Sequence, residues 1–112
     1  MKKLIILLFA VLFVSSVASV LKTSLNVTVR DEIGNLVAGA NIQLYARKED
    51  WEKEENAFAE GVTDEKGIFK FKEVNNLNVY ILVRKDDKDN TGGGEQTKLE
   101  QGRINKITVI IQ

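Results

Sequence analysis

The sequence predicts an all-β domain, an antiparallel β-sandwich, and three observations carry that reading. Apolar residues recur with period two in short segments along the chain. Turn-forming residues stand between those segments, and little of the chain carries a helical period. At 112 residues, with 44% hydrophobic and 29% charged residues, the chain has room for one small folded domain.

The first eighteen residues are set aside as a leader. Lys2 and Lys3 precede an unbroken apolar run from Leu4 to Val14, and the small residues Ser15, Ser16, Ala18 and Ser19 follow. This is the order of a secretory signal peptide, cleaved after Ala18 with Ser16 at the −3 position, or after Ser19 with Val17 there. The competing reading is an uncleaved anchor. Its apolar stretch reaches only from Leu4 to Leu21 and carries three serines, whereas a bilayer span needs about 20 apolar residues. No cysteine follows the run to take a lipid. The domain is therefore expected over residues 19–112, soluble and secreted or periplasmic in a bacterium, with its N-terminus at Ser19 or Val20. A small secreted domain without disulfides fits a bacterial exterior better than a eukaryotic one.

Within the domain, Leu25, Val27 and Val29 alternate with Asn26, Thr28 and Arg30 as a strand with one buried face. Asp31-Glu32-Ile33-Gly34-Asn35 reads as a turn, with Gly34 or Asn35 available for positive φ. Ala40, Ile42 and Leu44 alternate with Asn41, Gln43 and Tyr45 in a second strand. Residues 47–57 interrupt the pattern with eight charged residues and Trp51, the one tryptophan. Asp50 there is a candidate cap for a short helical turn, in what is otherwise a long polar connection. Thr63-Asp64-Glu65-Lys66-Gly67 forms another turn before Ile68–Val74, where Phe69 and Phe71 alternate with Lys70 and Lys72. Val79–Val83 is apolar on both faces, as a central strand would be. Residues 86–94 have the most flexible composition, and Ile104–Ile111 closes the pattern with Ile107, Val109 and Ile111 on one side. The expected core is Leu25, Val27, Val29, Ala40, Ile42, Leu44, Phe69, Phe71, Tyr80, Leu82, Ile107, Val109 and Ile111.

The run from Leu25 to Ile42, with its strand, Asp-x-x-Gly turn and Gly39-Ala40-x-hydrophobic strand, resembles the opening of carboxypeptidase regulatory-like domains. Thr63-Asp64-Glu65-Lys66-Gly67-Ile68-Phe69-Lys70-Phe71 is similar to that family's second hallmark, and Tyr80 with Leu82 to its Tyr-x-Leu strand. Leu36 stands where members often carry proline. The resemblance covers about residues 24–111 and implies a seven-stranded sandwich of the transthyretin-like kind, accessory to other functions and without an activity of its own. Transthyretin-like hydrolases use histidines and end in Tyr-Arg-Gly-Ser; this chain has no histidine and ends Ile110-Ile111-Gln112. Collagen-adhesin repeats of related fold form a Lys–Asn crosslink, for which Lys22 and Asn105 are the candidates. Arg84 occupies the region where those repeats place the assisting acid.

Function is less legible. Sixteen basic residues balance sixteen acidic ones, and the chain without its first eighteen residues carries −2, so nothing points to nucleic acid or anionic lipid. Without cysteine or histidine there is no thiol chemistry, no Cys/His zinc site and no imidazole base. Asp87-Lys88-Asp89-Asn90-Thr91-Gly92 has the spacing of a calcium loop, but Lys98 holds the twelfth position, where a glutamate belongs. Ser24 has no neighbouring base. The expectation is a non-enzyme without metal or cofactor, binding an envelope protein or a carbohydrate through Trp51 in its charged loop. Two alternatives are a purely structural spacer, with Trp51 folded back onto the sheet, and the crosslinked adhesin-type repeat.

Overall fold

The computed structural model describes residues 22–93 and 96–112, so the expected leader lies outside the described residues. The described chain is all-β apart from one short helix. Its elements are β1 (Ser24–Asp31), β2 (Asn41–Tyr45), α1 (Lys48–Lys53), β3 (Ala59–Val62), β4 (Ile68–Phe71), β5 (Asn78–Lys85), β6 (Lys88–Asp89), β7 (Gln96–Lys98) and β8 (Ile104–Ile111). They form two sheets, one in the order β4-β1-β8 and the other in the order β3-β2-β5-β6, with β7 also paired to β5.

Period-two alternation and strand register together build the core. Val27 lies opposite Phe69 on one side and Ile107 on the other, so the apolar sides of β4, β1 and β8 share a face. In the second sheet Ile42 pairs with Val83 and Leu44 with Ile81. These inward rows meet in one cluster with Ala40, Val74, Val79, Leu99 and Ile111, and Val37, Ala59, Phe69 and Ile107 pack half-buried against it. Phe69 and Phe71 meet edge to face, their ring centres 4.7 Å apart.

The two Asp-x-x-Gly turns are built alike. Asp31 Oδ1 accepts the Ile33 and Asn35 amides, and Asp64 Oδ1 accepts those of Lys66 and Ile68. Gly34 and Gly67 donate to the carbonyls of Asp31 and Asp64 at φ of 93° and 74°, where a side chain is strained. Thr63 ties the second turn to the start of β2. Its buried hydroxyl accepts the Ala40 amide at 2.9 Å and donates to the Val37 carbonyl at 2.7 Å.

Four expectations need correction. The architecture is not wholly antiparallel: β1 and β8 pair in parallel from Ser24–Ile104 to Asp31–Ile111. Among the described residues eight strands are present rather than the seven that the resemblance implies; β3, β6 and β7 are too short or too polar to show a period in the sequence. On β5 it is Val79, Ile81 and Val83 that face the core, whereas Tyr80 and Leu82 lie on the opposite face. Both faces of that strand are apolar, so alternation alone does not choose between them. Lastly, Arg47 rather than Asp50 is the N-cap of α1, and its side chain makes no capping bond.

Candidate functional site

The outer face of the β2–β5 pair carries the most elaborate polar arrangement among the described residues. Register places Asn41, Gln43 and Tyr45 of β2 beside Arg84, Leu82 and Tyr80 of β5. Helix α1 lies over this face. Its six residues are too few for independent stability, although Glu49 and Asp50 in the first turn and Lys53 in the last suit its dipole. The helix ends at Glu54, whose left-handed backbone (φ 55°, ψ 42°) lets its amide reach the Asp50 and Trp51 carbonyls.

Trp51 anchors the helix. Its indole is half-buried, and Nε1 donates to the Ile81 carbonyl oxygen at 3.0 Å. The same oxygen accepts Asn90 Nδ2 at 2.9 Å, while Asn90 Oδ1 accepts the Val83 amide at 2.8 Å. Asn90 is 3% exposed and fills, with its side chain, the break between β6 and β7 along the edge of β5.

Beside Trp51 the polar groups are held in place by one another. Tyr45 is fully buried, and its hydroxyl donates to Gln43 Oε1 at 2.7 Å; Gln43 Nε2 in turn donates to Glu60 Oε1 at 2.9 Å. The buried Tyr45 hydroxyl thus finds the partner it needs. Arg84 grips Glu54 with two bonds, Nη1–Oε1 at 2.6 Å and Nη2–Oε2 at 3.2 Å. That pairing lowers the Glu54 carboxyl below its ordinary value and raises the Arg84 guanidinium above its own. Burial pushes the Tyr45 phenol up, with Glu54 and Glu60 adding to the effect. Asn41, Gln43, Glu54, Leu82 and Arg84 line an open groove of about 310 Å³. Leu82 is the apolar residue of that lining, and amide, carboxylate and guanidinium groups around it supply hydrogen-bond donors and acceptors.

The other sequence candidates are dispersed. Lys22 Nζ lies 3.6 Å from Glu73 Oε2 on the exposed surface. Asn105 uses its amide on the backbone, accepting from Glu100 and donating to the Ser24, Glu100 and Arg103 carbonyls. In the suspected calcium loop, Asp89 accepts the amide and hydroxyl of Thr91, Asp87 is exposed and Asn90 points into the sheet. Among the described residues no cluster of acids could hold a metal ion, and no helix is long and apolar enough to cross a membrane. Sequence reasoning missed the Glu54–Arg84 pair and the Asn90 bracket. Thirty residues separate the first two, and no local period links them. No protein-family model matches the chain, and no curated protein matches it either.

Proposed function

We propose that the chain is a non-catalytic, exported module that binds a carbohydrate chain in the groove beside Trp51. Its fold on this reading is a β-sandwich of the transthyretin-like, carboxypeptidase regulatory-like kind. Two sheets sharing one apolar cluster and the paired Asp-x-x-Gly turns support that assignment. The leader-like first eighteen residues support export.

The observation that carries the binding reading is the preorganised wall of the groove. The Arg84 guanidinium is fixed by two bonds to Glu54, and the Gln43 amide is oriented by Tyr45 and Glu60. Groups held before a ligand arrives lose little freedom on binding. Trp51, the sole tryptophan, is not itself in the lining of the groove but is bonded to Ile81, the neighbour of its lining residue Leu82, so its emission is the probe of occupancy. Titration with cellohexaose and chitohexaose, extended to an array of neutral and charged glycans, should shift that emission for a subset of sugars. Arg84→Ala should abolish the shift. An array without a single binder defeats the reading. N-terminal sequencing of native material should begin at Ser19 or Val20; a retained Met1 in the membrane fraction defeats export.

One observation favours a second reading, a structural spacer. Trp51 spends its N–H on Ile81 and therefore presents no free donor to a partner.

A further inference from the structure

On the opposite side of the molecule, the outer face of the β4-β1-β8 sheet has a composition that sets it apart. Alternation turns Ser24, Asn26, Thr28 and Arg30 of β1, Ile68 and Lys70 of β4, and Ile104, Lys106, Thr108 and Ile110 of β8 away from the core. Register sets Asn26 between Lys70 and Lys106, and Arg30 beside Ile110. Three cations thus share a face on which no strand residue is acidic. Among the described residues none of the three forms an ion pair; Arg30 instead donates to the Gly34 carbonyl at 2.7 Å. The acid that senses Lys70 is Asp64, whose carboxylate is occupied by the turn amides of Lys66 and Ile68. The first-turn acids of α1, Glu49 and Asp50, lie over the other sheet.

We propose that this face docks an anionic polysaccharide, independently of the groove beside Trp51. Adjacent strands are about 4.8 Å apart, which separates Lys70 from Lys106 by roughly 10 Å across the Asn26 amide. Ammonium groups at that interval match anions repeated along a stiff chain, and the Asn26, Thr28 and Thr108 side chains can bond sugar hydroxyls between them. Long-range attraction would steer such a polymer to the face. A bilayer fits less well. Ile104 and Ile110 are exposed on the same face but six residues apart on one strand, roughly 20 Å, and neither an aromatic nor a contiguous apolar patch joins them.

Affinity electrophoresis of the full chain in gels containing polygalacturonate, dextran sulfate or neutral dextran tests the proposal. The protein should be retarded by the two polyanions and not by dextran. Retardation should fade as salt shortens the screening length from about 10 Å at 0.1 M to about 3 Å at 1 M. Lys70→Glu with Lys106→Glu should weaken binding at least about tenfold. Lys48→Glu with Lys53→Glu, the same charge change on α1, should leave binding within about twofold. Lys70→Gln with Lys106→Gln provides a milder pair should the reversal disturb folding, which circular dichroism reports. Three results would overturn the proposal: unchanged retardation in both double variants, no retardation of the parent chain, or capture by phosphatidylglycerol vesicles where the polyanions fail. A dimer in sedimentation velocity that the reversal dissociates would reassign the face to a second copy. Loss of neutral-glycan binding in Arg84→Ala leaves this face untouched, so the two proposals fail separately.

Discussion

Trp51 and Asn90 donate to a single acceptor, the carbonyl oxygen of Ile81, at 3.0 and 2.9 Å. One donor comes from the helix over the sheet and the other from the loop along its edge, so two irregular segments are locked at one point on a central strand. Asn90 does more than share the acceptor, because its Oδ1 also takes the Val83 amide. Asn90→Ala therefore leaves a buried N–H without a partner, at a cost of about 1–3 kcal/mol. In a domain of this size each kcal/mol lowers the melting temperature by roughly 4–8 °C. Trp51→Phe keeps most of the ring and leaves Ile81 its Asn90 bond, so its cost should stay near 1 kcal/mol. The double variant strips the oxygen of both donors and should lose more than the sum of the singles. Strict additivity in a thermal double-mutant cycle would mean that the shared acceptor couples nothing.

Gly61 on β3 is a place where the two sheets come too close for a side chain. A Cβ there would overlap the ring of Phe69 on β4. Gly61→Ala should destabilise the domain by about 1–3 kcal/mol through overpacking. Phe69→Leu in the same chain should recover part of that loss, even though it is destabilising alone. Chemical denaturation of the four chains checks the sign of the interaction.

The Thr63 hydroxyl should prove irreplaceable by shape. Thr63→Val preserves volume but leaves the buried Ala40 amide unpaired, for about 1–3 kcal/mol. Thr63→Ser keeps the hydroxyl and should cost less than Val. If the two variants melt alike, the hydrogen bonds to Ala40 and Val37 contribute nothing net.

Acid should loosen the fold through its turns. Asp31 and Asp64 are held below their ordinary value of 3.8 chiefly by backbone amides, those of Asn35 and Ile68. Glu54 is held below 4.5 by Arg84. As the pH falls, the unfolded chain binds these protons first. Their contribution is therefore complete above the ordinary values and is lost as the pH drops through the lowered native ones. Melting temperature should hold from pH 7 to about 5 and fall increasingly below about 4. Asp31→Asn with Asp64→Asn should flatten the acid limb, and an unaltered limb would assign acid sensitivity to other groups.

How much of this was visible in the chain depends on how many faces an element buries. Strands with one buried face, such as Leu25-Val27-Val29 and Phe69-Phe71, announce themselves, because alternation is the physical cost of exposing one side to water. Val79–Val83 has two covered faces, one against the core and one beside α1, so its period vanishes and the choice between Ile81 and Leu82 with it. The direction of β8 was illegible for another reason, since side-chain alternation is the same in parallel and antiparallel pairs. The groove beside Trp51 depends on cross-strand partners such as Gln43 and Glu60, which meet only once β2 and β3 are in register.

The parallel pairing of β1 with β8 has a consequence in time. Ser24 and Asn105 are 81 positions apart, and Thr23 and Gly102, joined nearby through the Thr23 hydroxyl, are 79 apart. The central strand of the smaller sheet thus waits for one of its two neighbours until synthesis has passed Ile111. Closing so long a loop before any contact rewards it is slow, and folds dominated by such pairings take milliseconds to seconds. A nascent chain cannot complete this sheet before β8 has left the ribosome. It remains unfinished, with one edge of β1 open, for as long as β8 is still inside the tunnel.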